Sequence, residues 1–114
     1  MMTLLKKISD LATFWKQRKA RAMQRMWIRK GIALGKEDKL QEALVCFDNA
    51  LRSDPLDPLP WQFKGGILLK LGKYREAKAA FQKFIDLAPP KFGGYVAETK
   101  EMLKGIEVIL RRGK

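Results

Sequence analysis

An all-α fold, with antiparallel helix pairs stacked into a short α-solenoid, is what the sequence predicts. Three observations predict it. One stretch occurs twice: residues 24–57 and 58–91 align without a gap at a period of 34. Trp27, Lys30, Gly31 and Leu34 return as Trp61, Lys64, Gly65 and Leu68. Lys36, Lys39, Glu42, Ala43, Phe47 and Pro55 return as Lys70, Lys73, Glu76, Ala77, Phe81 and Pro89. A fixed period of this length marks one supersecondary unit stacked on its copy. Within each copy the apolar residues recur every three to four positions, the spacing of one helical face. Turn-forming residues gather between those stripes.

Residues 1–23 read as a basic amphipathic helix ahead of the repeats. Leu4, Ile8, Leu11 and Trp15 fall on one helical face, with Leu5 and Ala12 beside them. No Gly or Pro occurs from Met1 to Lys30, so this arm is either a separate helix or one that runs into the first repeat. Its apolar face has several uses open to it. It can fold back to cap the first repeat or fill the protein's own groove, make a dimer contact, or lie on a membrane surface with Trp15 and Phe14 beside Lys16, Arg18 and Lys19. An organelle-targeting segment fits less well. From Leu11 to Lys36 there is no acidic residue, while Lys16, Arg18, Lys19, Arg21, Arg25, Arg29, Lys30 and Lys36 are basic. Arg18, Arg21, Arg25 and Arg29 share a face that could track a phosphate backbone. No nucleic-acid motif accompanies them, and a solvated basic face is the plainer reading.

The first repeat spans residues 24–57. Its helix A runs from Gln24 to Gly35 or Lys36, and a turn follows through Asp38, which is placed to cap the next helix. Helix B runs from Lys39 to Arg52 with Leu40, Ala43, Leu44, Phe47, Ala50 and Leu51 as its stripe. Pro55 and Pro58 end it. The second repeat spans residues 58–91. Asp57 caps its helix A, Pro58 and Pro60 suit the first turn, and Gly72 stops it. Its helix B runs from Lys73 to Ala88 over Tyr74, Ala77, Phe81, Phe84 and Ile85. In residues 92–114, Pro89 to Gly94 read as a turn and a helix follows from Tyr95 to Leu110. No second helix follows it, so it closes the stack as a capping helix.

The pattern Trp27-x-x-Lys30-Gly31-x-x-Leu34, then Ala43-x-x-x-Phe47, then Pro55, resembles the tetratricopeptide repeat. The second copy, with Trp61, Gly65, Leu68, Ala77, Phe81 and Pro89, is similar to it more closely still, since Gly72, Tyr74 and Leu87 also match. The family's leucine and tyrosine positions are held here by Lys30 and Leu34. The resemblance implies a non-catalytic scaffold that holds a peptide or amphipathic helix in a groove lined by its A helices. By matching positions that groove takes Arg25, Ile28, Arg29, Ile32 and Lys36 from the first repeat. The second gives Leu59, Gln62, Phe63, Gly66, Leu69 and Lys70, and the last helix Val96 and Lys100, with Leu103 and Lys104 further along. A clamp for acidic chaperone tails is argued against, because Ile28, Ile32, Phe63, Gly93 and Ala97 stand where such clamps use Lys and Asn.

Composition bounds the partners. One domain of 114 residues carries 24 basic and 12 acidic residues, a net charge of +12. That balance favours acidic protein segments, nucleic acid or anionic membrane. Another protein is the expected partner; a homodimer, nucleic acid and an anionic membrane surface are the alternatives. An enzyme is not expected: there is no histidine, no Cys/His cluster and no phosphate-loop context for Gly65-Gly66 or Gly93-Gly94. No cofactor, metal or small-molecule substrate is expected. The single cysteine, Cys46, excludes an internal disulfide and reads as a small buried thiol. No run of about 20 apolar residues is present, Lys6, Lys7 and Asp10 interrupt any leader-like core, and a cytoplasmic protein is the expectation.

Overall fold

Each apolar stripe becomes one helix in the computed structural model, which describes residues 2–113. The helices are α1 (Met2–Lys36), α2 (Leu40–Ser53), α3 (Pro58–Lys70), α4 (Tyr74–Leu87) and α5 (Gly93–Arg112), and a single 3-10 turn, Pro90–Phe92, precedes the last. α1 packs on α2 and α3 on α4; α2 then packs on α3, and α4 on α5. This is the all-α solenoid, two helix pairs and a closing helix.

Glycine lets each pair close up. An added Cβ on Gly31 would stand 2.8 Å from the Phe47 ring, and one on Gly65 would stand 2.6 Å from Phe81. Phe47 and Phe81, each 1% exposed, therefore lie against the bare backbone of the facing helix. Two linked cores result. Ala43, Phe47 and Ile67 form the first, with Ile28, Ile32, Leu34, Leu44 and Phe63 packed on it. Leu68, Ala77, Ala80, Phe81, Leu103 and Ile106 form the second. Leu44 touches both. Cys46 is buried.

The two copies also share their polar details. Lys30 Nζ lies over the Trp27 ring at 5.6 Å and Lys64 Nζ over the Trp61 ring at 5.5 Å, so each copy sets an ammonium against its indole face. Trp61 Nε1 donates to the Pro55 carbonyl at 2.9 Å, and Lys64 pairs with Asp48 at 2.8 Å, tying α3 to the first pair.

Three expectations are corrected. Asp38 does not cap α2: it has φ +62, and Lys39 precedes the helix without a side-chain cap. Asp38 N–H donates to the Gly35 carbonyl and Lys39 N–H to the Leu34 carbonyl, a Schellman closure of α1. Gly72, with φ +76, does the same one period later, its N–H reaching Leu69 while Lys73 N–H reaches Leu68. The Pro89–Gly94 segment is not all turn, because Gly93 and Gly94 already belong to α5. The arm neither folds back nor fills a groove: α1 is unbroken from Met2 to Lys36, and residues 3–23 are all exposed. With no helix breaker before Gly31, backbone hydrogen bonding carries straight through. The molecule is accordingly long, 67 × 29 × 24 Å.

Candidate functional site

The A helices lean apart on one side of the solenoid, where α1 and α3 barely touch. The space between them is a cavity of about 720 Å³. Its floor is apolar: Ile32 from α1, Phe47 from α2, and Leu59, Phe63 and Ile67 from α3. Phe63 stacks on Phe47 with centroids 5.4 Å apart and planes 11° from parallel, so the ring that packs on Gly31 also backs the floor. Gly66 faces the cavity, and a Cβ there would meet nothing within 4 Å. Lys36 and Lys70, one period apart, stand on the rim with Gln62. Phe92, Tyr95 and Glu98 close the far side.

Of the residues that matching positions assigned to a groove, Ile32, Lys36, Leu59, Gln62, Phe63, Gly66 and Lys70 come together here. Arg25 and Arg29 are exposed further up α1, outside the lining. Ile28 and Leu69 serve the first and second cores instead. Val96 and Lys100 lie outside the lining, Leu103 is core, and Lys104 pairs with Glu101 at 3.1 Å on the surface. α5 docks through Thr99, Leu103 and Ile106, and that rotation presents Tyr95 and Glu98 to the cavity. A helix without a second repeat partner takes its register from packing, which the period of 34 does not specify. Phe92 carries no signal in the sequence beyond its place in a turn. Phe47 reads from the repeat as a packing residue, yet its ring also backs the cavity floor.

The basic residues Lys16, Arg18, Lys19, Arg21, Arg25 and Arg29 are all exposed on α1. Among the described residues no group of three or more His, Cys, Asp or Glu lies close enough to hold a metal ion. Nor is any described helix long and apolar enough to cross a membrane.

Stacked helix pairs beside an open apolar groove define a helical-repeat protein. The family model described as tetratricopeptide repeat matches residues 60–91, the second of the two copies. Residues 60–91 thus carry a match to the tetratricopeptide repeat, and residues 24–57 repeat its pattern at a period of 34. Cell division cycle protein 27 homolog A of Arabidopsis thaliana is 36% identical over 59 residues, which make up 52% of this chain and 8% of that relative. A T3SS complex from Aeromonas hydrophila contains a chain of like fold, with a TM-score of 0.74 at 16% identity over 94% of this chain and 77% of that one. The Yersinia enterocolitica type III secretion chaperone SycD, in complex with a peptide of the translocator YopD, gives a TM-score of 0.73 at 16% identity over 95% of both chains. At such identities the likeness is one of fold.

Proposed function

We propose that this chain is a non-catalytic protein-interaction scaffold, set in the cytoplasm, that seats an amphipathic peptide or helix in the groove between α1 and α3. The observation that carries this reading is the open apolar floor of Ile32, Leu59 and Phe63, with Gly66 bare beside it and Lys36 and Lys70 on the rim. An apolar floor gives a partner area to bury, and paired rim cations favour one with acidic residues at its edge. The Yersinia chaperone of like fold, held in complex with a peptide of YopD, supports the reading.

Gly66→Trp tests it, because Gly66 lines the cavity and a Cβ there meets nothing within 4 Å, so the bulk is added on the open side. Peptides selected from a displayed library against the whole protein should be amphipathic with acidic flanks. They should bind Gly66→Trp at least about tenfold more weakly, a loss of roughly 1.4 kcal/mol, while its melting temperature holds. Selected peptides indifferent to Gly66→Trp would remove the groove from the account. Phe63→Glu is the poorer test, since Phe63 also stacks on Phe47 in the first core.

A further inference from the structure

We propose that the first seven turns of α1 form an interfacial anchor, which lays an apolar stripe on the surface of an anionic lipid bilayer. The inference is independent of the groove. Leu4, Ile8, Leu11 and Trp15 are 62%, 58%, 60% and 59% exposed. At 3.6 residues per turn they form one line, which Ala22 and Met26 continue onto the first repeat. Ala22 and Met26 share a shallow hollow with Arg25 and Arg29. The side of α1 that meets the body lies opposite: Gly31 rests on Phe47, and Gln24, two turns earlier on that same face, is 6% exposed. The stripe therefore points away from α2, and no bending of loops brings the repeats over it.

Charge selects the occupant. Along Met2–Arg29 the basic residues are Lys6, Lys7, Lys16, Arg18, Lys19, Arg21, Arg25 and Arg29, against one acid, Asp10. A second copy would bring the same cations to the same seam, with no acid between Leu11 and Lys36 to answer them. Nucleic acid would satisfy the cations and leave the aliphatic stripe in water. An anionic membrane satisfies both: the apolar side chains enter the acyl boundary, and the long Lys and Arg side chains reach the headgroups. Arg18 already lies over the Phe14 ring at 5.9 Å, and Phe14 meets Trp15 edge-on at 5.6 Å, an aromatic pair suited to headgroup depth. α1 is not apolar enough to span, so it lies along the surface.

The test is sedimentation of the full chain with vesicles of phosphatidylserine and phosphatidylcholine, and with phosphatidylcholine alone. The chain should bind the anionic vesicles at least about tenfold more tightly, with affinity falling as salt rises. The triple variant Ile8→Gln/Leu11→Gln/Trp15→Gln keeps the net charge and replaces only exposed residues. It should lose at least about tenfold in vesicle affinity with its melting temperature unchanged. Brominated lipid should quench the tryptophan emission of the unmodified chain and, less, that of an Ile8→Gln/Leu11→Gln variant that keeps Trp15. Absence of vesicle binding overturns the proposal, and so does equal binding by the triple variant. A lipid-free dimer that the triple variant dissolves would assign the stripe to a second copy. An RNA oligonucleotide bound alike by both chains, with vesicles left free, would assign the cations to nucleic acid.

Discussion

Two adjacent glycines in α3 have opposite surroundings. Gly65 faces the Phe81 ring, where a Cβ would arrive at 2.6 Å, and Gly66 faces the open groove. Gly65→Ala should destabilise the fold by about 1–2 kcal/mol, since overpacking a tight contact outweighs the helix preference for alanine. Gly66→Ala should be neutral or stabilising by about 0.5–1 kcal/mol, because only that preference remains. Urea denaturation of both variants checks the pair, and equal changes would mean that Phe81 does not seat on Gly65. The importance of Gly65 was legible because it recurs at Gly31. The groove position of Gly66 was legible from its match to Ile32, but the open space that a Cβ there would meet follows only from packing.

At the scale of the helix, the α1–α2 and α3–α4 joints are the same device with different residues. Asp38 and Gly72 occupy one position of the repeat, and both hold positive φ. That conformation costs an L-residue about 1 kcal/mol or more and costs glycine little. Asp38→Gly should therefore raise stability by about 0.5–1 kcal/mol, and Gly72→Ala should lower it by about 1 kcal/mol or more. Thermal melts decide, with opposite signs expected. The sequence pattern misled at Asp38 because Asp before an apolar run is an ordinary N-cap signature; alignment with Gly72 carries the better signal. A second check falls on α5. Gly93 is helical with φ −51, and a Cβ on Gly94 would touch nothing, so Gly94→Ala should stabilise α5 by about 0.5–1 kcal/mol. A loss of stability would mean that a turn, and not a helix, begins there.

Over the whole molecule, legibility followed the repeat. Residues 24–91 could be read closely, because two copies constrain one another and each glycine or aromatic has a counterpart to check it. The groove between α1 and α3 was legible for the same reason, and seven of its residues follow from matching positions. What lies outside the period was less so. The arm's direction depends on backbone continuity through Met2–Lys36, and the register of α5 depends on Thr99, Leu103 and Ile106 finding α4. The molecule thus presents two separate surfaces, an apolar groove on the concave side and an apolar stripe along the projecting arm.

The central claim is that partners enter the groove, and glycine amides can report on it directly. Gly35 and Gly66 line the cavity, while Gly105 and Gly113 lie on α5 and at its end, outside the lining. Titrating a selected peptide into the nitrogen-15-labelled protein should move the Gly35 and Gly66 amide resonances and leave Gly105 and Gly113 in place. Shifts confined to residues of the arm or to the outer face of α5, with Gly35 and Gly66 unmoved, would contradict the account.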